Sequence, residues 1–198
     1  MKNIFIVYCH PSHNSFTYKV REAFIEGLKN ASHSYEISDL YDMNFNPVFS
    51  EEEYLREAFY CEEKTVPEDV LKEQEKINKA DAVVFIYPDF WTASPAMLEG
   101  WFQRILTYGY AYGENARMKP IKKAVFLITM GGSMSDKIRR EQLEAMETIM
   151  IGDRLRSRAE ECEVHVFDEM TRGYSNDKHR EEKAVIYLKK ARKLAENI

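Results

Sequence analysis

Glycine, proline and cysteine are all scarce in this chain, at 8, 6 and 3 of 198 residues. So little glycine and proline excludes collagen-like and low-complexity architectures. The cysteines, Cys9, Cys61 and Cys162, are odd in number and widely scattered. That spacing offers neither a disulfide framework nor a structural zinc motif, and it suits a reducing cytoplasm. No apolar run reaches the roughly 18 residues of a membrane span. The opening MKNIFIVYCH has too short an apolar stretch, and no small-residue cleavage site, for a secretory signal. Positive charge is not in excess either. A formal net charge of -5 argues against a dedicated nucleic-acid binder, which needs a concentrated basic footprint. The lysines at 122–123 and 189–193 read as solvated faces. No internal repeat or linker-like segment interrupts the chain.

What is present is a core. Apolar residues make up 44% of the chain and aromatics 13%, enough for one globular domain over residues 1–198. KNIFIVY, NKADAVVFIYP and KKAVFLITMGG each place a short β-rich apolar run before a polar or glycine break. Strands buried on both faces of a parallel sheet look like this. SYEISDL (34–40) and CEVHVFDEM (162–170) alternate apolar and polar residues, as less covered strands do. Helical periodicity fills the gaps at 15–30, 68–80, 95–107, 138–151 and 177–196, with an extra helical stretch at 51–62. Five repeats of β-α alternation imply right-handed crossovers: an α/β fold with a five-stranded parallel sheet in the order 2-1-3-4-5 and helices on both faces.

In such a sheet, ligands sit outside the carboxyl ends of the strands at the switch in strand order, so the loops after strands 1, 3 and 4 should converge. The first loop is YCHPSHNSF (8–16), and its chemistry admits three readings. Cys9, His10 and His13 are metal-ligand types but point in different directions, with no fourth ligand nearby. Cys9 as a nucleophile would need a lowered pKa, while the adjacent His10 faces the opposite way on an extended strand; a buried, inert thiol is the simpler reading. The third is an anion seat. Ser15 or Asn14 caps the following helix, whose free N–H groups favour a phosphate, with hydroxyls from Ser15 and Thr17 and an imidazole N–H from His10 as further donors. The loop holds no glycine, which excludes the Rossmann and Walker motifs.

YPDFWTASPAMLEGWFQRILTYGYAYG (87–113) resembles the NAD(P)H:quinone oxidoreductase family of flavodoxin-like flavoproteins, the group that includes DT-diaphorase. SDLYDMNFNPVFS (38–50) is similar to that family's segment after strand 2. HPSHNSF matches its flavin-phosphate loop at His10, Ser15 and Phe16. The likeness covers residues 2–133 well and the C-terminal helix more loosely. It implies a flavodoxin-like fold and a flavin whose phosphate lies on His10, Ser15, Phe16 and Thr17. Its ring would lie between Pro88, Asp89, Phe90 and Trp91 on one side and Thr129, Met130, Gly131 and Gly132 on the other. Physical chemistry agrees with the second loop: a flat, apolar ring with a polar edge needs aromatic walls and rigid backbone donors. Trp101, on AMLEGWFQRIL, reads instead as a core aromatic.

By the same resemblance the protein is a homodimer in which Tyr108, Tyr110 or Tyr112 lines the substrate side, and the cysteine pattern places it in the cytoplasm. The implied reaction passes a hydride from NADPH or NADH through the flavin to a quinone-like acceptor, with no metal. The cofactor is FAD or FMN, with the long strand 2 loop favouring FAD. A regulatory subunit, for example of a potassium-efflux system, and an electron carrier are the alternatives. Two departures stand out. Eukaryotic members carry a Tyr and a His after the glycine pair, where this chain has Lys137 and Leu143. Lys137 then becomes the candidate cation for charge on the reduced flavin, or else a solvated lysine at a helix start. Asp89 stands where relatives have an apolar residue; facing the ring, its carboxylate would lower the reduction potential.

Overall fold

The structure is a computed structural model that describes residues 1–173 and 177–198. Its elements run β1 (Asn3–Tyr8), α1 (Phe16–Asn30), β2 (Ser34–Asp39), α2 (Glu51–Ala58), α3 (Glu68–Lys79), β3 (Ala82–Pro88), α4 (Ala96–Ile105), β4 (Ile121–Thr129), α5 (Lys137–Glu147), β5 (Ala159–Phe167) and α6 (Asp177–Glu196). All five strands are parallel, in the order β2-β1-β3-β4-β5. The expected topology is therefore the observed one.

Alternation along the central strands divides the core into two layers. Ile4, Ile6 and Tyr8 of β1, with Val84 and Ile86 of β3, pack against Val20, Phe24 and Leu28 of α1 and Ala191 and Ala195 of α6. Phe5, Val7 and Cys9 face the other way, with Phe85 and Tyr87, onto Val70 and Ile77 of α3 and Leu98, Trp101 and Ile105 of α4. β3 is buried along its whole length, while β5 is half-covered at the sheet edge. Gly27 lets α1 and α6 approach closely: a Cβ there would lie 2.2 Å from the Arg192 carbonyl oxygen.

Polar groups in the second layer are paired as burial requires. The indole N–H of Trp101 donates to Glu73 at 2.9 Å, and Glu73 also accepts from Ser38 at 2.9 Å and Lys76 at 2.6 Å. Arg104 ties α4 to Glu53 of α2 (2.7 Å) and to Asp69 of α3 (2.5 Å).

The largest boundary differences from the sequence reading fall at three places. β5 begins and ends three residues early, because Asp168 and Glu169 leave the strand to bond neighbouring elements and Glu169 adopts φ +59°. α5 ends at Glu147 and continues as a wider π-helical segment, Thr148–Leu155, past the expected end at 151. α2 stops at Ala58, followed by Tyr60 in the left-handed region.

Candidate functional site

The loop after β1 forms as a helix-capping turn. Ser15 has extended backbone and accepts from the Tyr18 N–H at 3.0 Å, so the N–H groups of Phe16 and Thr17 have no intrahelical partner. His10 Nδ1 accepts from the Ser12 N–H at 2.9 Å, which leaves its proton on Nε2 as a donor. Burial lowers the His10 pKa below the ordinary value, so the neutral form prevails.

Cys9 lies on the opposite layer, fully buried, and burial pushes its thiol up to about 12. It is no nucleophile at neutral pH. The metal trio of Cys9, His10 and His13 does not assemble. His13 instead meets Asp42 at 3.1 Å and Asp39 at 3.8 Å, and Asp39 is already neutralised by Arg21 at 2.7 Å.

The loop after β3 is strained. Phe90 and Ala93 exchange backbone hydrogen bonds at 2.9 and 3.2 Å around a two-residue turn, with Trp91 at φ +56° and Thr92 at φ +65°. A turn with two left-handed central residues favours Asn-Gly, and non-glycine residues there cost about 1–3 kcal/mol each. The strain holds Trp91 at the tip of the turn, 98% exposed. Asp89 donates its N–H to the Thr129 carbonyl at 2.8 Å, while its carboxylate Oδ1 is buried without a hydrogen-bond partner. Burial raises the Asp89 pKa, and the positive charge of Arg139 works in the opposite sense.

The loop after β4 closes the arrangement. Thr129 Oγ1 lies 2.7 Å from Thr17 Oγ1 in a buried pair joining the end of β4 to the start of α1. Gly131 is a close approach, since a Cβ there would sit 2.2 Å from Thr171 Oγ1. Two adjoining cavities result. One, of about 220 Å³, is lined by His10, Ser15, Phe16, Thr17, Pro88, Asp89, Phe90, Thr129, Met130 and Gly131, with Met170 and Thr171. The other, of about 470 Å³, shares Asp89, Phe90, Gly131 and Thr171 and adds Trp91, Thr92, Gly132, Arg139 and Gln142. Every residue that the resemblance places on the cofactor thus lines one of these two spaces.

Other expectations separate from the site. Lys137 lines neither cavity; it stands in solvent at the start of α5, 3.5 Å from Glu141, as the plain solvated reading has it. Tyr110 is buried, its hydroxyl donating to the Gln74 carbonyl at 3.1 Å, so it belongs to the core and not to a surface. Tyr108 and Tyr112 pack edge-on at 5.6 Å, with Tyr60 5.0 Å from Tyr108. Glu57 holds this loop by accepting from the Tyr108 N–H and the Tyr112 hydroxyl, both at 2.7 Å.

Sequence reasoning missed Met170, Thr171, Arg139 and Gln142 at the site, and the anchor behind it. Asp168 accepts from the Met134 N–H at 2.7 Å, from Lys183 at 2.7 Å and from the Tyr187 hydroxyl. It pins the glycine-pair loop to β5 and α6. The available signal was position: β5 neighbours β4, so whatever follows β5 must reach the same rim.

A family model described as the flavodoxin-like fold matches residues 2–192, and the chain belongs to that family. Among solved structures, an NAD(P)H:quinone oxidoreductase from Methanothermobacter marburgensis is similar, with a TM-score of 0.90 and 40% identity over 99% of this chain and 96% of that one. NAD(P)H dehydrogenase (quinone) 1 of Rattus norvegicus is 35% identical over 152 residues, 68% of this chain and 56% of the relative. Its counterpart in Cavia porcellus is 34% identical over 152 residues, 68% of this chain and 55% of the relative. The chain therefore spans little more than half the length of these two curated relatives. The resemblance read from the three segments is borne out.

Proposed function

We propose that the rim cleft holds a flavin and that the protein is a flavin-dependent NAD(P)H oxidoreductase acting on a quinone or similar aromatic acceptor. A bound flavin supplies the redox chemistry, accepting a hydride from NAD(P)H and passing two electrons on. The observation that carries this reading is the convergence of three loops, tied by the Thr17–Thr129 and Asp89–Thr129 hydrogen bonds, around one cleft. The residues fit such a group. Phe16 and Thr17 present N–H groups and His10 a neutral imidazole donor toward an anion; Phe90 and Trp91 offer aromatic faces; the orphaned Asp89 oxygen awaits a donor. Catalysis by this chain is then mainly stacking and positioning, and it uses no protein nucleophile.

FAD is favoured over FMN by a third cavity of about 460 Å³ beyond Phe16. Lys19, Arg172 and Arg180 line it together with Glu181, a net positive wall suited to a second phosphate. A homodimer is supported by exposed aromatics on and after α2, Tyr54, Phe59 and Tyr60, continuous with Tyr108 and Tyr112. A single domain over 1–198 accords with one sheet covered by helices on both faces. Three unpaired cysteines support a cytoplasmic setting, and no helix among the described residues is long and apolar enough to cross a membrane.

The test is oxidation of NADH or NADPH by the purified protein with a soluble quinone, together with mass analysis of the released pigment. Quinone-dependent turnover by a yellow protein supports the proposal. A flavin-loaded protein that oxidises neither nucleotide overturns the enzymatic part.

A further inference from the structure

Reduction places negative charge on a flavin ring, and a site that binds one must decide how that charge is met. Among the described residues lining the two adjoining cavities, Arg139 alone carries a permanent positive charge. It stands in the first turn of α5, and its side chain folds back over the glycine pair: a Cβ on Gly132 would lie 2.7 Å from Arg139 Nε. Glycine at 132 is what lets a guanidinium rest on this turn. Arg139 bonds Gln142 Oε1 at 2.9 Å and makes no direct salt bridge among the described residues; the carboxylate its charge acts on is Asp89. Neighbouring cations are committed elsewhere. Arg140 donates to the carbonyls of Met134 and Ser135, Arg154 pairs with Glu99, and Lys137 faces solvent beside Glu141.

Across the same cavity stands Asp89, with one buried, unbonded carboxylate oxygen. Charges of opposite sign on two walls of one cleft act more strongly on a ring that displaces the water between them than the same charges do across open solvent.

We propose that Arg139, and not Lys137, is the cation that offsets the negative charge of the reduced ring, and that the Asp89 carboxylate is its counterweight, the two setting the reduction potential in opposite directions. This inference rests on the flavin reading above.

The test measures the midpoint potential and the affinity for oxidised flavin of the flavin-loaded protein and of Arg139→Gln, Arg139→Lys, Asp89→Asn and Lys137→Ala. At fixed ambient potential, Arg139→Gln should shift the oxidised-to-reduced ratio about tenfold toward oxidised, equivalent to ~30 mV for a two-electron couple. Arg139→Lys should recover most of that shift. Asp89→Asn should move the ratio the other way, and Lys137→Ala should leave it unchanged. Affinity for the oxidised form should change less than the potential in each case, a split that a merely structural role would not produce. An unmoved potential in Arg139→Gln, or an equal shift in Lys137→Ala, overturns the proposal. Should Arg139→Gln fail to fold, an unmoved potential in Asp89→Asn does so instead. A protein that takes up no flavin defeats the reading beneath it as well; one that binds flavin with unshifted potentials defeats only this inference.

Discussion

Two tryptophans ten residues apart separate what holds this molecule together from what it is for. Trp101, in α4, is 1% exposed, stacks edge-on against Phe85 at 5.9 Å and gives its N–H to Glu73. Trp91, in the turn just before that helix, is 98% exposed, and its backbone sits in a region that favours glycine. One indole obeys every rule of a packed core. The other breaks two, apolar exposure and backbone strain, within a cleft that also leaves a carboxylate oxygen unpaired. Exposed aromatics, left-handed residues and unbonded polar atoms occur elsewhere too, Tyr60 and the Tyr8 hydroxyl among them. At this rim, though, two consecutive left-handed residues, an exposed indole and an orphan carboxylate oxygen line one cleft, and that coincidence points to a ligand.

The sharpest way to break this contrast is to remove each indole. Trp101→Ala should cost about 3–5 kcal/mol in denaturant unfolding, since it opens a cavity and leaves Glu73 short of a donor. A smaller effect is expected at the anchor behind the rim. Burial opposes ionisation of Asp168, but Lys183, the Met134 N–H and the Tyr187 hydroxyl outweigh it and hold the carboxyl below its usual range. A depressed carboxyl stabilises the fold above its unfolded value and loses that contribution as pH falls through the native one. Asp168→Asn should therefore cost about 1–3 kcal/mol at pH 7, and its deficit relative to wild type should shrink below about pH 4. A deficit independent of pH would mean that packing, not charge, is lost. Relieving the strained turn with Trp91→Asn/Thr92→Gly should raise stability by about 1 kcal/mol while weakening flavin binding. Least affected in stability is Trp91→Ala, within about 0.5 kcal/mol of wild type, with flavin affinity about 3- to 10-fold weaker. If Trp91→Ala unfolds the protein as readily as Trp101→Ala, the contrast is false.

Most of the fold was legible because strands buried on both faces leave a plain signature: KNIFIVY, DAVVFIYP and KKAVFLIT could hardly be anything else, and their spacing forces the crossovers. Edges were harder. The alternation of CEVHVFDEM runs three residues past the end of β5 at Phe167, and the reach of Asp168 back to Met134 is a contact across 34 residues that no local pattern encodes. The lining of the cleft was readable from capping chemistry, the Pro-bounded aromatic loop and the glycine pair. Which cation served it was not. Lys137 and Arg139 are two residues apart, and only the direction of the first turn of α5 decides that one returns over Gly132 while the other points to water. Tyr110 is a similar case: Tyr112 is exposed and Tyr108 half-buried, but after the turn at Gly109, φ +74°, the ring between them is buried.

The most direct measurement is an equilibrium titration of the flavin-free protein with FAD and with FMN, read by quenching of flavin fluorescence, alongside Gly131→Val. In that variant the added side chain would take the place of Thr171 Oγ1 and occupy the cleft that Gly131 lines. Saturable quenching at one flavin per chain in the wild type, lost in the variant, is expected. No saturable quenching by either flavin, or quenching that Gly131→Val leaves intact, would contradict a flavin-holding cleft at this rim.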